Sequence, residues 1–271
     1  DYISIKTNYD GLITMDCENK DLSLNSDNLV IKAANLLRLT SGNESLGANF
    51  YLEKNIPIGA GLAGGSTDGA AVLFGLNDLW GLHYSKNKIL ELSSRIGSDM
   101  PFCCDGGTQI CFGKGEILEK VSADFSSLAV LLIKDPNINI STPWAYRLCK
   151  QKKGKDYLIN ENQFEERRNV LRTCKWLQKQ EEFGGFPLRN DLQDVVQPTS
   201  TSVETALKQL SGLEGSLGIA MSGSGPTCFA LFPNFQLAKE ALTNNKEKLA
   251  KLGFNSWACS FRNRGVAFCD D

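Results

Sequence analysis

The chain has 271 residues, 42% hydrophobic and 22% charged, which is ordinary globular composition and enough for one large domain or two packed ones. Its 29 basic and 31 acidic side chains nearly cancel to a net charge of −2, so no electrostatic surplus draws it to nucleic acid or to an anionic membrane. A single histidine, His83, excludes a His-rich metal site, and nine cysteines without a C-x-x-C pair suit neither a zinc ribbon nor a small disulfide scaffold.

The cysteines read instead as small buried apolar residues in a reducing compartment. No apolar run is long enough to span a membrane, and the best, Ser127 to Ile133, is strand-sized. The chain opens Asp1-Tyr2-Ile3-Ser4-Ile5 without an initiator Met or a signal peptide, and so reads as a fragment or a processed chain.

Alternation at Ile3 and Ile5, then Ile13, Met15 and Cys17, predicts antiparallel strands around an Asp10-Gly11 turn. Without a strand upstream, these strands are expected to leave an apolar face uncovered. Ser26-Asp27 is the expected cap of a helix with Leu29, Ala33, Leu36 and Leu37 on one face. A strand over 49–54 leads to a glycine-rich stretch and then to a helix carrying Val72, Leu73, Leu76, Leu79 and Trp80. A second helix starts near Ser85 and stops at Gly97, and two strands follow near 108–112 and 116–121.

Beyond a soft boundary at 122–126 comes a buried-type strand, 128–133, and a charged helical region over 160–182. The remainder reads helix (202–209), strand (217–221), glycine loop, strand (227–232), helix (236–252) and strand (256–261). This order predicts an α+β chain with domains 1–123 and 124–271, and ligands in the cleft between them.

Three segments carry chemistry. The run Pro57-Ile58-Gly59-Ala60-Gly61-Leu62-Ala63-Gly64-Gly65-Ser66-Thr67 follows a strand and opens a helix. Small residues let a ligand approach the backbone, and the unpaired N–H groups of a helix start favour a polyphosphate. Ser66 and Thr67 add hydroxyls for the phosphates or a magnesium ion; the plainer alternative is a flexible loop capped by Ser66. The run is not of the G-x-x-x-x-G-K-[ST] type, because no lysine follows it. Asp99, in Gly97-Ser98-Asp99-Met100-Pro101-Phe102, is a candidate general base or an ordinary turn residue. Ser222-Gly223-Ser224-Gly225, between two short strands, is either a ligand-binding loop or a tight β-turn.

Pro57-x-x-x-Gly61-Leu62-x-Gly64-Gly65-Ser66 is similar to the ATP loop of the GHMP kinase superfamily, and Gly97-Ser98-Asp99-Met100-Pro101-Phe102 resembles its catalytic-aspartate segment. Ser222–Thr227 resembles its third motif. The resemblance implies a two-domain GHMP fold, with an α/β N-terminal domain like ribosomal protein S5 and a ferredoxin-like C-terminal domain. It implies ATP and Mg2+ as cofactors, a small-molecule alcohol as substrate, and a monomer or homodimer in the bacterial cytoplasm or the plastid stroma.

Asp99 becomes the catalytic base, Asn28 and Lys54 join 57–67 around the nucleotide, and Thr142, which a helix cap explains equally, joins 222–225 at the substrate. The extended glycine run is most similar to the branch that phosphorylates a cytidine-diphosphate-linked alcohol on the non-mevalonate route to isoprenoids. The family's upstream Pro-Ala-Lys segment has no counterpart after Asp1. Two readings stay open: a homoserine or mevalonate-pathway kinase, and a nucleotide-binding module without catalysis. No chemistry is assigned to Leu188-Arg189-Asn190-Asp191-Leu192, which reads as a helix start.

Overall fold

The computed structural model describes residues 1–121, 125–173, 186 and 188–269. The chain packs as two units: Asp1–Ile58, Ala63–Lys120 and Arg262–Asp271 form the first, and Gly59–Leu62 with Val121–Phe261 form the second.

In the first unit β1 (Tyr2–Asn8), β2 (Ile13–Cys17) and β3 (Gly47–Glu53) form a sheet in the order β1-β3-β2. β1 is antiparallel to β3 and β2 is parallel to it, so Ile5 and Met15 both lie opposite Phe50. The expected hairpin at Asp10-Gly11 is therefore absent. Helix α1 (Leu29–Ser41) carries the chain from β2 back to a parallel β3, and such a crossover seats β3 between the two earlier strands.

The alternation itself has a clear sense. Ile3, Ile5, Ile13 and Met15 pack against the helical core, whereas Tyr2, Ser4 and Lys6 face out, so the apolar face expected to be open is covered by helices. The cap of α1 is Asn28 rather than Ser26-Asp27: its Oδ1 accepts from the Val30 amide at 2.9 Å.

Helices α2 (Gly64–Leu79), α3 (Lys86–Ser94) and α4 (Met100–Asp105) follow, then the hairpin of β4 (Gln109–Phe112) and β5 (Ile117–Lys120). Leu37, Phe50, Leu73, Leu76, Leu92 and Met100 fill the core, each such side chain contributing about 1.5–3 kcal/mol by leaving water. The chain returns to this unit after the second one. There the Val266 amide donates to the Cys103 carbonyl at 3.1 Å, and a Cβ added to Gly265 would lie 2.2 Å from that same oxygen.

The second unit has an antiparallel sheet in the order β7-β8-β6-β9, built from β6 (Ala129–Lys134), β7 (Gly218–Met221), β8 (Cys228–Phe232) and β9 (Asn255–Ser260). Among the described residues its α-helices are α5 (Thr142–Lys153), α6 (Glu161–Arg172), α7 (Gln193–Val196), α8 (Thr201–Ser211) and α9 (Phe235–Lys251). Leu131, Ile133, Val196, Leu210 and Phe232 form its core.

Helix α5 starts at the Ser141 cap and buries only Ala145 and Cys149. Helix α6 occupies the start of the expected 160–182 region, and 174–182 lies outside the described residues. It buries nothing and is laced by Arg168 to Glu161 and Glu165, and by Arg172 to Glu165. Cys17, Cys103, Cys104, Cys149 and Cys228 are buried as expected, but Cys111 and Cys269 are exposed; all eight described cysteines are free. Among the described residues no helix is long and apolar enough to cross a membrane.

Candidate active site

In the first unit the decisive feature is how α2 begins. Its cap residue, Ala63, adopts a left-handed torsion (φ 53°) and supplies no side-chain cap, so the helix starts two residues before Ser66 and Ser66 does not cap it. The first helical bond runs from the Thr67 amide to the Ala63 carbonyl at 2.9 Å. The amides of Gly64, Gly65 and Ser66 thus lie ahead of any helical acceptor and donate to no described residue, at the positive end of a sixteen-residue helix. A Cβ at Gly65 would meet only Leu29 Cδ1 at 3.7 Å, so that backbone is open to an approaching group. The Ser66 hydroxyl is in no hydrogen bond with the described residues, whereas the Thr67 hydroxyl donates to the Ala63 carbonyl at 3.1 Å.

Thr67 also ties this helix start to the candidate base. Its hydroxyl reaches Cys103 Sγ at 3.5 Å, and Cys103 lies in α4, the helix that follows Asp99. Asp99 takes the cap position of α4 with αR torsions, and its carboxylate makes no cap hydrogen bond. Asp99 is exposed and its carboxylate forms no hydrogen bond or ion pair with the described residues, while its carbonyl accepts the Cys103 amide at 3.1 Å. Its charge is felt nearby: burial pushes the Cys103 thiol up, Thr67 opposes this, and Asp99 adds to it. The plain turn reading missed α4 altogether, because Pro101 in its first turn looks like a loop residue.

Two other nucleotide candidates are spent on protein groups. Asn28 caps α1 and donates Nδ2 to the Ser23 carbonyl at 2.7 Å. Lys54 pairs with Asp68 at 2.8 Å and with Asp1.

The second unit holds the earlier half of the same run. Gly59 and Gly61 have left-handed torsions (φ 62° and 72°), and a Cβ on Gly61 would lie 2.4 Å from the Ser222 carbonyl. Glycine is required there. The Ser222 hydroxyl donates to the Gly61 carbonyl at 2.8 Å, and the Thr227 amide to the Ala60 carbonyl at 3.3 Å.

The loop Ser222–Gly225 closes β7 onto β8 through Ser222 N to Thr227 O and Gly225 N to Ser222 O, each 2.8 Å. Thr142 and Ser224, widely separated in sequence, share a hydroxyl contact of 2.8 Å, and Ser141 rather than Thr142 is the helix cap. Beside the loop lies an open cavity of about 560 Å³, lined by Tyr146, Tyr157, Asn190, Ser222, Gly223 and Phe229 among others. Asn190, given no role from sequence, donates Nδ2 to the carbonyls of Met221 and Gly223, both at 2.8 Å, and Gln193 Oε1 accepts the Met221 amide at 2.7 Å. The Asn-Asp pair flagged the segment, but nothing local told that its partner lay thirty residues on.

A helix start whose amides have no partner among the described residues, an aspartate carboxylate likewise without one in the same unit, and an antiparallel α+β unit suit a small-molecule kinase. The chain belongs to the GHMP kinase family: residues 28–107 match the model of the GHMP kinases N terminal domain and 172–251 that of the GHMP kinases C terminal. It is 51% identical over 266 residues to 4-diphosphocytidyl-2-C-methyl-D-erythritol kinase of Synechococcus sp. (strain CC9311), covering 98% of this chain and 86% of that protein. The enzyme of the same name from Prochlorococcus marinus (strain MIT 9313) is 49% identical, with 98% and 83% covered.

Among solved structures, a 4-(cytidine 5'-diphospho)-2C-methyl-D-erythritol kinase shares the fold with a TM-score of 0.69 at 24% identity, over 95% of this chain and 84% of that one. Homoserine kinase from Cytophaga hutchinsonii gives a TM-score of 0.75 at 16% identity, over 97% and 86%.

Proposed function

We propose that this chain transfers the γ-phosphoryl group of ATP to the 2-hydroxyl of 4-diphosphocytidyl-2-C-methyl-D-erythritol, a step of non-mevalonate isoprenoid synthesis. The observation that carries the phosphotransfer is the pairing, on one framework, of the free Gly64–Ser66 amides with the unpaired Asp99 carboxylate. The acceptor follows from the relatives that are about half identical over nearly the whole chain.

In this reading the amides of Gly64, Gly65 and Ser66 take the phosphate oxygens, and the helix dipole favours their charge. Asp99 accepts the proton of the attacking hydroxyl as the new P–O bond forms and the bond to the β-phosphate oxygen breaks, releasing ADP. The Ser66 hydroxyl, without a partner among the described residues, would suit as a protein ligand to a phosphate-bound Mg2+; Asp68 and Thr67 are already engaged. The ion, when bound, offsets charge on the phosphates. Thr142 and the Ser222–Gly225 loop meet the acceptor, while Asn28 and Lys54 shape the nucleotide's surroundings from behind.

The test is turnover with ATP and each of three acceptors: diphosphocytidyl-methylerythritol, homoserine and mevalonate. The first should be preferred in kcat/KM by at least about 10⁴-fold, the scale reached when a site is built to hydrogen-bond a substrate group its competitors lack. Comparable rates with either other acceptor would reject the assignment. Gly65→Val, which meets little protein, should weaken ATP binding in calorimetry without loss of fold.

A further inference from the structure

We propose that Asp1 and Asp68 are positioning residues that act through Lys54 to fix the start of the nucleotide helix. The inference rests on the reading that the Gly64–Ser66 amides take phosphate.

The physical problem is how a chain leaving β3 at Glu53 presents the first turn of α2 in one arrangement. Lys54 is the first residue off the strand. Its ammonium pairs with Asp68 on the second turn of α2 at 2.8 Å, and with Asp1 at the head of β1. The same Asp1 carboxylate accepts the amides of Asn55 and Ile56, both at 2.7 Å, so it fixes the next two residues of the connection as well. A Cβ at Gly64 would lie 2.9 Å from Lys54 Nζ and 2.9 Å from Ile56 Cγ2, so the clamp rests directly against the first helical residue.

The side chains of Lys54, Asp1 and Asp68 are only 4%, 3% and 5% exposed. Desolvating three ions is a poor route to stability, since packed apolar groups do as well or better. Charge-assisted hydrogen bonds at fixed angles do supply geometry. Burial raises the Asp68 carboxyl while Lys54 opposes the rise, which fits an ion held by its partner rather than by water.

The experiment uses the full chain with Asp68→Asn, Asp1→Asn, Lys54→Met and the double Lys54→Met/Asp68→Asn. Amide exchange without nucleotide should speed up about tenfold or more across 54–67 in both Asn variants, with α1 and β2 unchanged. Their Kd and KM for ATP should rise about tenfold while kcat moves less than twofold, as for a misplaced but intact site. Lys54→Met should lower Tm, and adding Asp68→Asn should recover part of that Tm, Asp1 still lacking its cation, without restoring ATP affinity.

Affinity that returns together with Tm in the double variant would make the cluster merely structural and overturn the proposal. So would unchanged exchange over 54–67. If Gly65→Val weakens ATP binding and the Asn variants do not, the clamp fails while the phosphate reading stands; if Gly65→Val has no effect, the phosphate reading fails and the clamp's role in nucleotide binding falls with it.

Discussion

The two glycine loops of this protein are anchored by opposite chemistries. The helix start of the first unit is held by three buried ions, Asp1, Lys54 and Asp68, whereas Ser222–Gly225 in the second is held by neutral groups: Asn190, Gln193, Ser222 and the Thr142–Ser224 pair. A charged anchor fails abruptly, because removing one member strands the others in a low-dielectric interior. A neutral network fails by degrees, since each lost bond costs only its own unsatisfied group. The first unit also holds the one candidate base, so its loop has less tolerance for drift.

Chemistry gives the largest contrast. Asp99→Asn should lower turnover by about 10²–10⁴-fold at saturating substrates with ATP affinity nearly unchanged, whereas Ser224→Ala should cost far less. Near-normal turnover in Asp99→Asn would return that residue to a turn role. Next comes stability. Lys54→Met should cost about 3–5 kcal/mol in urea unfolding. Asn190→Ala, which strands two carbonyls, should cost about 1–3 kcal/mol; equal losses would erase the distinction.

Glycine substitutions sharpen it further. Gly61→Ala combines a φ of 72° with a carbonyl 2.4 Å away and should destabilise by about 1–3 kcal/mol, while Gly65→Ala, with open space and helical torsions, should gain up to about 1 kcal/mol.

The smallest effect is in pH. Because burial outweighs Lys54, Asp68 keeps its proton to higher pH folded than unfolded, so its contribution to stability falls as pH rises from about 3.8 through the raised value. Asp105 is the reverse. Burial alone would raise it, but Lys86 and Gln109 hold it below 3.8, so its contribution is present above 3.8 and is lost as pH falls through the lowered value. Urea midpoints against pH should lose the first slope in Asp68→Asn and the second in Asp105→Asn, and neither in Asn190→Ala.

What the sequence made legible follows from separation along the chain. The run 57–67 is contiguous, so its residue types alone mark a strand-to-helix passage open to phosphate. Its anchors are not: Lys54 meets Asp1 across 53 residues, and Ser222 meets Gly61 across 161. Strand order was equally hidden. Ile3 and Ile5, or Ile13 and Met15, face the same core whether or not β3 intervenes, so alternation fixed the faces and left the neighbours open. Only the start of helix α5 shows in the sequence, as a possible cap at Thr142, because just Ala145 and Cys149 are buried in it, too thin a stripe to read as a period.

The backbone contact between Gly265 and the carbonyl of Cys103 has a consequence for synthesis on the ribosome. The support behind α4, and so behind Asp99, comes from a segment translated after the whole second unit. Likewise Gly59–Leu62 emerge early but find their partners, Ser222 and Thr227, only much later. The first unit therefore cannot complete its packing when its stretch up to Lys120 has been made, and Gly59–Leu62 stay without these partners until Thr227 has emerged.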